Sequence, residues 1–209
     1  MRVKDIKKKL EDRPVGVIGN RKEFAVLILL AYSDKKDEDP EIVFEVRGKT
    51  ILQPGDICLP GGKIEDGESI IDCALRETEE EIGLSREKIK ILGRFDSMLE
   101  VNRIRMHTVV GAVKKENLKG LNICEYEVQE VFTVPISFFK ENEPDYFRGN
   151  IVQDDTGFPY EKHGIDPDYK WRKAYQDLYF WHYGDKTIWG LTAAIIQWFV
   201  SEMMTETDD

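Results

Sequence analysis

Residues 62–84 read GKIEDGESIIDCALRETEEEIGL. The segment opens as a glycine turn and passes into a helix from about Ser69. Helical spacing turns Ile70, Ile71, Ala74, Leu75 and Ile82 toward a core. Glu77, Glu80 and Glu81 follow at i, i+3 and i+4, so three carboxylates crowd one face. Like charges at that spacing destabilise a bare helix. Arg76 alone is too little to neutralise them. A hard divalent cation with oxygen ligands is the natural counter-charge.

The flanks set this helix in an alternating pattern. Upstream, Gln53–Gly62 (QPGDICLPGG) predicts a strand with glycine and proline at both ends, which lets backbone approach a ligand or metal. Phe24–Ala31 is a continuous apolar run, as expected for a central strand covered on both faces. Ile42–Val46 predicts a second strand, after a charged loop over residues 33–40. Downstream, Ile89–Leu99 and Arg105–Val113 predict paired strands joined through Glu100–Arg103. Glu127–Val134 predicts another, closed by Pro135, and Ile136–Glu141 a short helix. Residues 143–184 are irregular by pattern and rich in aromatics, with one strand expected within Asp177–Tyr183. Thr187–Met204 predicts a long final helix, N-capped by Asp185 or Thr187. At the other end, residues 3–12 predict a short amphipathic helix with Val3, Ile6 and Leu10 on one side. The expectation is an α/β fold with a mixed sheet between helical layers. It forms one domain over residues 1–209, with its core at about 23–140.

Composition narrows the function classes. The 209 residues carry a net charge of -10 and no basic run beyond Lys7–Lys9, which excludes nucleic acid as a bulk partner. Cys58, Cys73 and Cys124 lack metal-ligand spacing and read as reduced thiols. The first residues, MRVKDIKKKLED, have no apolar stretch of a signal peptide, and the apolar runs are too short or too polar to span a bilayer. A cytoplasmic protein without a membrane partner is expected.

Gly62, Glu68, Arg76, Glu77, Glu80, Glu81, Gly83 and Leu84 fall at the spacings Gly-x5-Glu-x7-Arg-Glu-U-x-Glu-Glu-x-Gly-U, where U is aliphatic. The segment resembles the Nudix box, with Thr78 in place of one aliphatic residue. The resemblance implies an α/β/α sandwich and metal-dependent hydrolysis of a nucleoside diphosphate derivative. It places Mg2+ or Mn2+ on Glu77 and Glu81, with Glu80 a further ligand and the Gly62 carbonyl alongside. Arg76 reads as an ion-pair partner that fixes these carboxylates, and Glu68 and Gly61 as supports of the loop. Glu80 or Glu81 is the first candidate for general base, with Glu127 and Glu130 as outside candidates. His107, flanked by apolar residues, reads as a core or pocket-wall histidine. The resemblance also allows a homodimer.

For the substrate, Gly55, Pro60, Gly61 and Gly62 match the segment that precedes the box in coenzyme A pyrophosphatases. Leu59 replaces a Phe there, and Glu65 and Glu68 replace two Asp residues. Trp189-Gly190-Leu191-Thr192 is similar to a segment those enzymes carry at the start of the last helix. The Arg expected four residues before Gly55 is Ile51 here. The implied reaction splits coenzyme A or an acyl-CoA into 4'-phosphopantetheine and adenosine 3',5'-bisphosphate. Arg47, Arg103, Arg105 and Lys49 are candidates to meet its 3'-phosphate. Hydrolysis of ADP-ribose or a similar compound is the alternative. A Nudix-like domain that binds ligand without catalysis is the third reading.

Overall fold

The structure, a computed structural model, describes residues 2–11, 13, 22–35, 38–100 and 104–204. Its centre is β1 (Lys22–Tyr32), which runs parallel to β6 (Ile104–Lys114) from Lys22 opposite Ile104 to Tyr32 opposite Lys114. β5 (Lys90–Leu99) pairs antiparallel with β6 on the outside. On the other side β1 meets β2 (Glu41–Arg47) at one end and β4 (Gly61–Lys63) at the other. β2 in turn pairs with the two-residue β3 (Ile57–Cys58) and with β7 (Val128–Pro135). The main sheet is therefore mixed and seven-stranded.

The continuous apolar run of β1 is explained by two cores. Ala25, Leu27, Leu29 and Ala31 pack with Cys73, Ala74 and Ile82 of α2 (Ile70–Ile82) on one face. Val26 and Ile28 meet Ala193, Ile195, Ile196 and Phe199 of α4 (Gly190–Met204) on the other. Alternate side chains of a strand point to opposite faces, so a strand between two helical layers must be apolar throughout. α3 (Ile136–Glu141) joins the α4 side, where Phe139 packs edge-on to Trp181 with ring centroids 5.0 Å apart. α1 (Val3–Glu11) buries none of its residues, and the apolar side formed by Val3, Ile6 and Leu10 faces solvent.

Three expectations need correction. Gln53–Gly62 is not one strand; a turn at Pro54–Gly55 and irregular backbone separate β3 from the rest, and only β3 and the start of β4 are in the sheet. The aromatic region is more regular than its pattern. β8 (Asp145–Ile151), β9 (Ala174–Tyr183) and β10 (Lys186–Trp189) form a second, antiparallel sheet. β8 has no buried residue to mark it; it is held by pairing and by Arg148 Nε, 2.6 Å from Asp177 Oδ1. The final helix begins at Gly190 rather than Thr187. Residues 186–189 instead pair with 183–180 across a two-residue turn, and Gly190, with φ 66°, breaks the chain direction before α4. Four residues do not distinguish a strand from a helical turn by pattern; the partner strand decides.

Candidate active site

α2 is held at both ends by features visible in its sequence. The Ser69 side chain accepts from the Asp72 N–H at 3.1 Å, capping the first turn. Gly83 closes the helix in the left-handed region with φ 69°. Thr78 is wholly buried and its hydroxyl donates to the Ala74 carbonyl at 2.6 Å. That bond accounts for a polar residue where an aliphatic one is usual.

Two glycines bring the turn against this helix. Gly61 has φ 147°, and a Cβ there would lie 2.3 Å from the Ala25 carbonyl oxygen. Without one, its N–H donates to Glu81 Oε2 at 2.8 Å. A Cβ on Gly62 would lie 2.3 Å from Glu77 Cδ, so the Glu77 carboxylate rests against the bare α-carbon. Glycine at 62 leaves the room that this carboxylate occupies.

Arg76 ties the group together. Its Nε and Nη2 hold Glu68 at 2.8 and 3.1 Å, and Nη1 lies 2.9 Å from Glu77 and 3.0 Å from Glu80. Nη2 also donates to the Lys63 carbonyl at 3.2 Å. The two-pronged bond to Glu68 fixes the guanidinium plane. It also draws the Glu68 carboxyl down to a pKa of about 2. The three box carboxylates are not equivalent. Glu81 is buried, the Glu77 side chain is largely covered, and the Glu80 side chain is 57% exposed.

A fourth carboxylate was not expected. Glu45 is 1% exposed, on the face of β2 that looks toward α2. The Cys58 thiol donates to its Oε1 at 3.2 Å, and among the described residues its Oε2 has no partner. Burial pushes the Glu45 carboxyl up, and nearby Glu127 and Glu77 add to this, while the Cys58 bond and Arg47 oppose it. Glu81 is pushed up by burial and then by Glu45, against the Gly61 N–H. Burial likewise raises Glu77, against Arg76. The only sequence clue to Glu45 was a charged residue inside the apolar run IVFEV.

The donor chemistry fits a divalent cation. Buried carboxylates that repel one another, one with an unpartnered oxygen, gain from a bound dication, which hard oxygen donors suit. Glu77, Glu81 and the Gly62 carbonyl supply such donors beside Glu45. Among the described residues no three His, Cys, Asp or Glu side chains stand as a finished metal cage. Arg76 instead takes Glu68, Glu77 and Glu80.

The remaining candidates divide. Arg47 lies near enough to Glu45 and Cys58 to favour the charged carboxylate, and its Nε donates to the Leu52 carbonyl at 2.9 Å. Glu127 belongs electrostatically to the cluster. Glu130 does not; it pairs with Lys186 at 2.8 Å. Arg105 Nη1 lies 3.7 Å from Glu23 Oε1. His107 is buried and bonded to Glu23 at 2.6 Å and Ser97 at 2.9 Å. Arg103 lies outside the described residues. The three cysteines are free thiols. Among the described residues no helix is long and apolar enough to cross a membrane.

The family model described as a NUDIX domain matches residues 21–150. "Nudix hydrolase 15, mitochondrial" of Arabidopsis thaliana is 30% identical over 179 residues, covering 84% of this chain and 56% of that protein. "Peroxisomal coenzyme A diphosphatase ndx-8" of Caenorhabditis elegans is 30% identical over 147 residues, covering 68% of this chain and 61% of that protein. "Peroxisomal coenzyme A diphosphatase NUDT7" of Mus musculus is 30% identical over 162 residues, 75% of this chain and 66% of that one. The chain spans less than two thirds of the length of the first of these relatives. Among solved structures, a MutT/nudix family protein from Enterococcus faecalis is similar with a TM-score of 0.49 at 18% identity, over 97% of this chain and 70% of that one. With the family match covering more than half of its residues and the box built as described, the chain belongs to the Nudix family.

Proposed function

We propose that the chain is a pyrophosphohydrolase dependent on Mg2+ or Mn2+, one catalytic unit over its whole length. Its preferred substrate is coenzyme A or an acyl-CoA, split into 4'-phosphopantetheine and adenosine 3',5'-bisphosphate. Glu77, Glu81 and the Gly62 carbonyl would hold the cation, with Glu80 and Glu45 at its border. Bound there, a divalent cation lowers the charge on the diphosphate and eases proton loss from the attacking water. Arg76 aims Glu77 through its anchor on Glu68. The Gly61 N–H aims Glu81. Glu80, the most exposed of the three, is placed to accept a proton from water, with Glu81 as the other candidate. Arg47 supplies positive charge on the substrate side of the cluster.

The substrate reading rests on one observation. Gly55, from the segment before the box, and Trp189, from the segment before the last helix, line one cleft. These are the two separate parts of the chain that resemble coenzyme A pyrophosphatases. Two relatives at 30% identity carry the name coenzyme A diphosphatase, which supports the same reading.

The test is a chromatographic product assay with Mg2+ or Mn2+. Coenzyme A, ADP-ribose, NADH and diadenosine polyphosphates are offered separately, with Glu81→Gln as the blank. Release of 4'-phosphopantetheine and adenosine 3',5'-bisphosphate as the fastest reaction is expected. Faster cleavage of another compound would overturn the substrate, and no cleavage of any would overturn catalysis.

A further inference from the structure

The cleft that joins Gly55 and Trp189 has a volume of 640 Å³ and opens where β3 meets β10. Its aromatic wall is prepared for a flat ligand. Phe180 and Trp189 are paired across β9 and β10, with ring planes 3° apart and centroids 6.1 Å apart. Trp189 is nevertheless 42% exposed. An indole fixed in orientation by a phenyl ring and still open to solvent is a stacking platform whose rotamer freedom is already spent. Gln129 also lines the cleft, and its amide makes no hydrogen bond to another described residue. A primary amide offers a donor and an acceptor side by side, which matches the edge of a heterocycle.

The charges say what does not belong there. Lys186 is the one cation lining the cleft among the described residues, and its Nζ is 2.8 Å from Glu130 and 4.8 Å from the centroid of the Phe132 ring. Asp185 adds a second carboxylate. A phosphate would be repelled by the net negative charge of this region, whereas an uncharged flat ring is not.

We infer that this cleft is the nucleobase pocket of the enzyme. The base stacks on Trp189 and its edge is read by Gln129. The diphosphate passes the short strand β3 toward the carboxylates. Val46 lines the cleft and its neighbour Glu45 faces the carboxylate cluster from the other side of β2, so the diphosphate reaches the cluster round β3, the two-residue strand paired with Val46. The inference rests on the reading of the substrate as a nucleotide derivative, and does not require that it be coenzyme A.

The probe is adenosine 5'-monophosphate, titrated in chelator against the wild type, Trp189→Ala, Trp189→Phe and Gln129→Ala, and followed by tryptophan fluorescence and calorimetry. The kinetics of coenzyme A and ADP-ribose are measured in parallel. In the wild type the nucleotide quenches fluorescence. Trp189→Ala is expected to weaken its binding, and to raise KM for whichever compound is cleaved, by roughly five- to hundredfold with little change in kcat. Trp189→Phe keeps a stacking face and stays near the wild type in affinity. Gln129→Ala, a surface change, gives a smaller rise in KM. Unchanged affinity and KM in a folded Trp189→Ala would overturn the pocket; if that variant does not fold, unchanged values in Gln129→Ala would. A wild type inert toward both substrates would refute the catalytic reading, and the titration would still decide the cleft.

Discussion

Glu68→Gln isolates the ion pair that also holds the box carboxylates Glu77 and Glu80. Arg76 grips Glu68 with two short bonds, and the Glu65 N–H donates to Glu68 Oε2 at 3.0 Å. The pair is mostly covered, with side chains 24% and 13% exposed. The Glu68 carboxyl falls from its ordinary 4.5 to about 2, chiefly through its bond to Arg76. At about 1.4 kcal/mol per pKa unit, that fall corresponds to at most about 3.5 kcal/mol. Solvent at the rim screens it, leaving about 2 kcal/mol as the working value. A depressed carboxyl stabilises the fold above its unfolded pKa, and the contribution is lost as pH falls through the folded value. Glu68→Gln should therefore cost about 2 kcal/mol at neutral pH and progressively less as pH falls from about 4.5 toward 2. Urea unfolding followed by tryptophan fluorescence reads this directly. With a slope of about 2–3 kcal/mol per molar, the midpoint drops by about 0.7–1 M at pH 7. The gap should shrink below half of that near pH 3, since most of the linkage lies above it. Equal gaps at both pH values, or none at neutral pH, would refute the claim that this pair is held by charge.

The other expectations concern the carboxylates themselves. Glu81→Gln should abolish turnover while circular dichroism and the unfolding midpoint stay near the wild type; retained activity would show the metal assignment to be wrong. Gly62→Ala should leave the fold nearly unchanged, because its Cβ meets the movable end of Glu77, yet reduce kcat by about a hundredfold through displacement of that carboxylate. A fully active Gly62→Ala would mean that the contact with Glu77 does not matter. Glu45→Gln should stabilise the protein in chelator, increasingly as pH rises above the ordinary carboxylate range. There the wild type must either keep a proton on a raised carboxyl or bear a buried charge. Its affinity for Mn2+, read by electron paramagnetic resonance, should fall at the same time. Identical pH–stability curves for the two proteins would remove Glu45 from the cluster.

Much of this site was legible because its causes are local. Gly61 and Gly62, Ser69, Arg76, the glutamates and Gly83 lie within one turn and one helix, where spacing alone sets who can meet whom. The pairing of Arg76 with Glu68 and box glutamates and the start of the helix near Ser69 followed from that spacing. The two-sided burial of β1 followed equally from its unbroken apolar run. The unequal exposure of Glu77, Glu80 and Glu81 did not. At about 100° per residue, Glu80 lies to one side of Glu77 and Glu81 to the other, and only the placement of the sheet decides which is buried.

The rest depended on contacts between distant segments. Glu45 reads as a polar residue within a strand, and becomes part of the site because α2 covers that face of β2. Residues 186–189 fit a helix as well as a strand, until β9 supplies backbone partners. Gly55 and Trp189 were two unconnected resemblances until β3 and β10 brought them to one cleft. By itself the sequence determined the family, the helix and the clustering of its carboxylates, because those rest on short-range spacing. The tertiary structure alone decided which carboxylate is desolvated and that Gly55 and Trp189 share one cleft, because burial and clefts belong to the packed fold and not to any one segment.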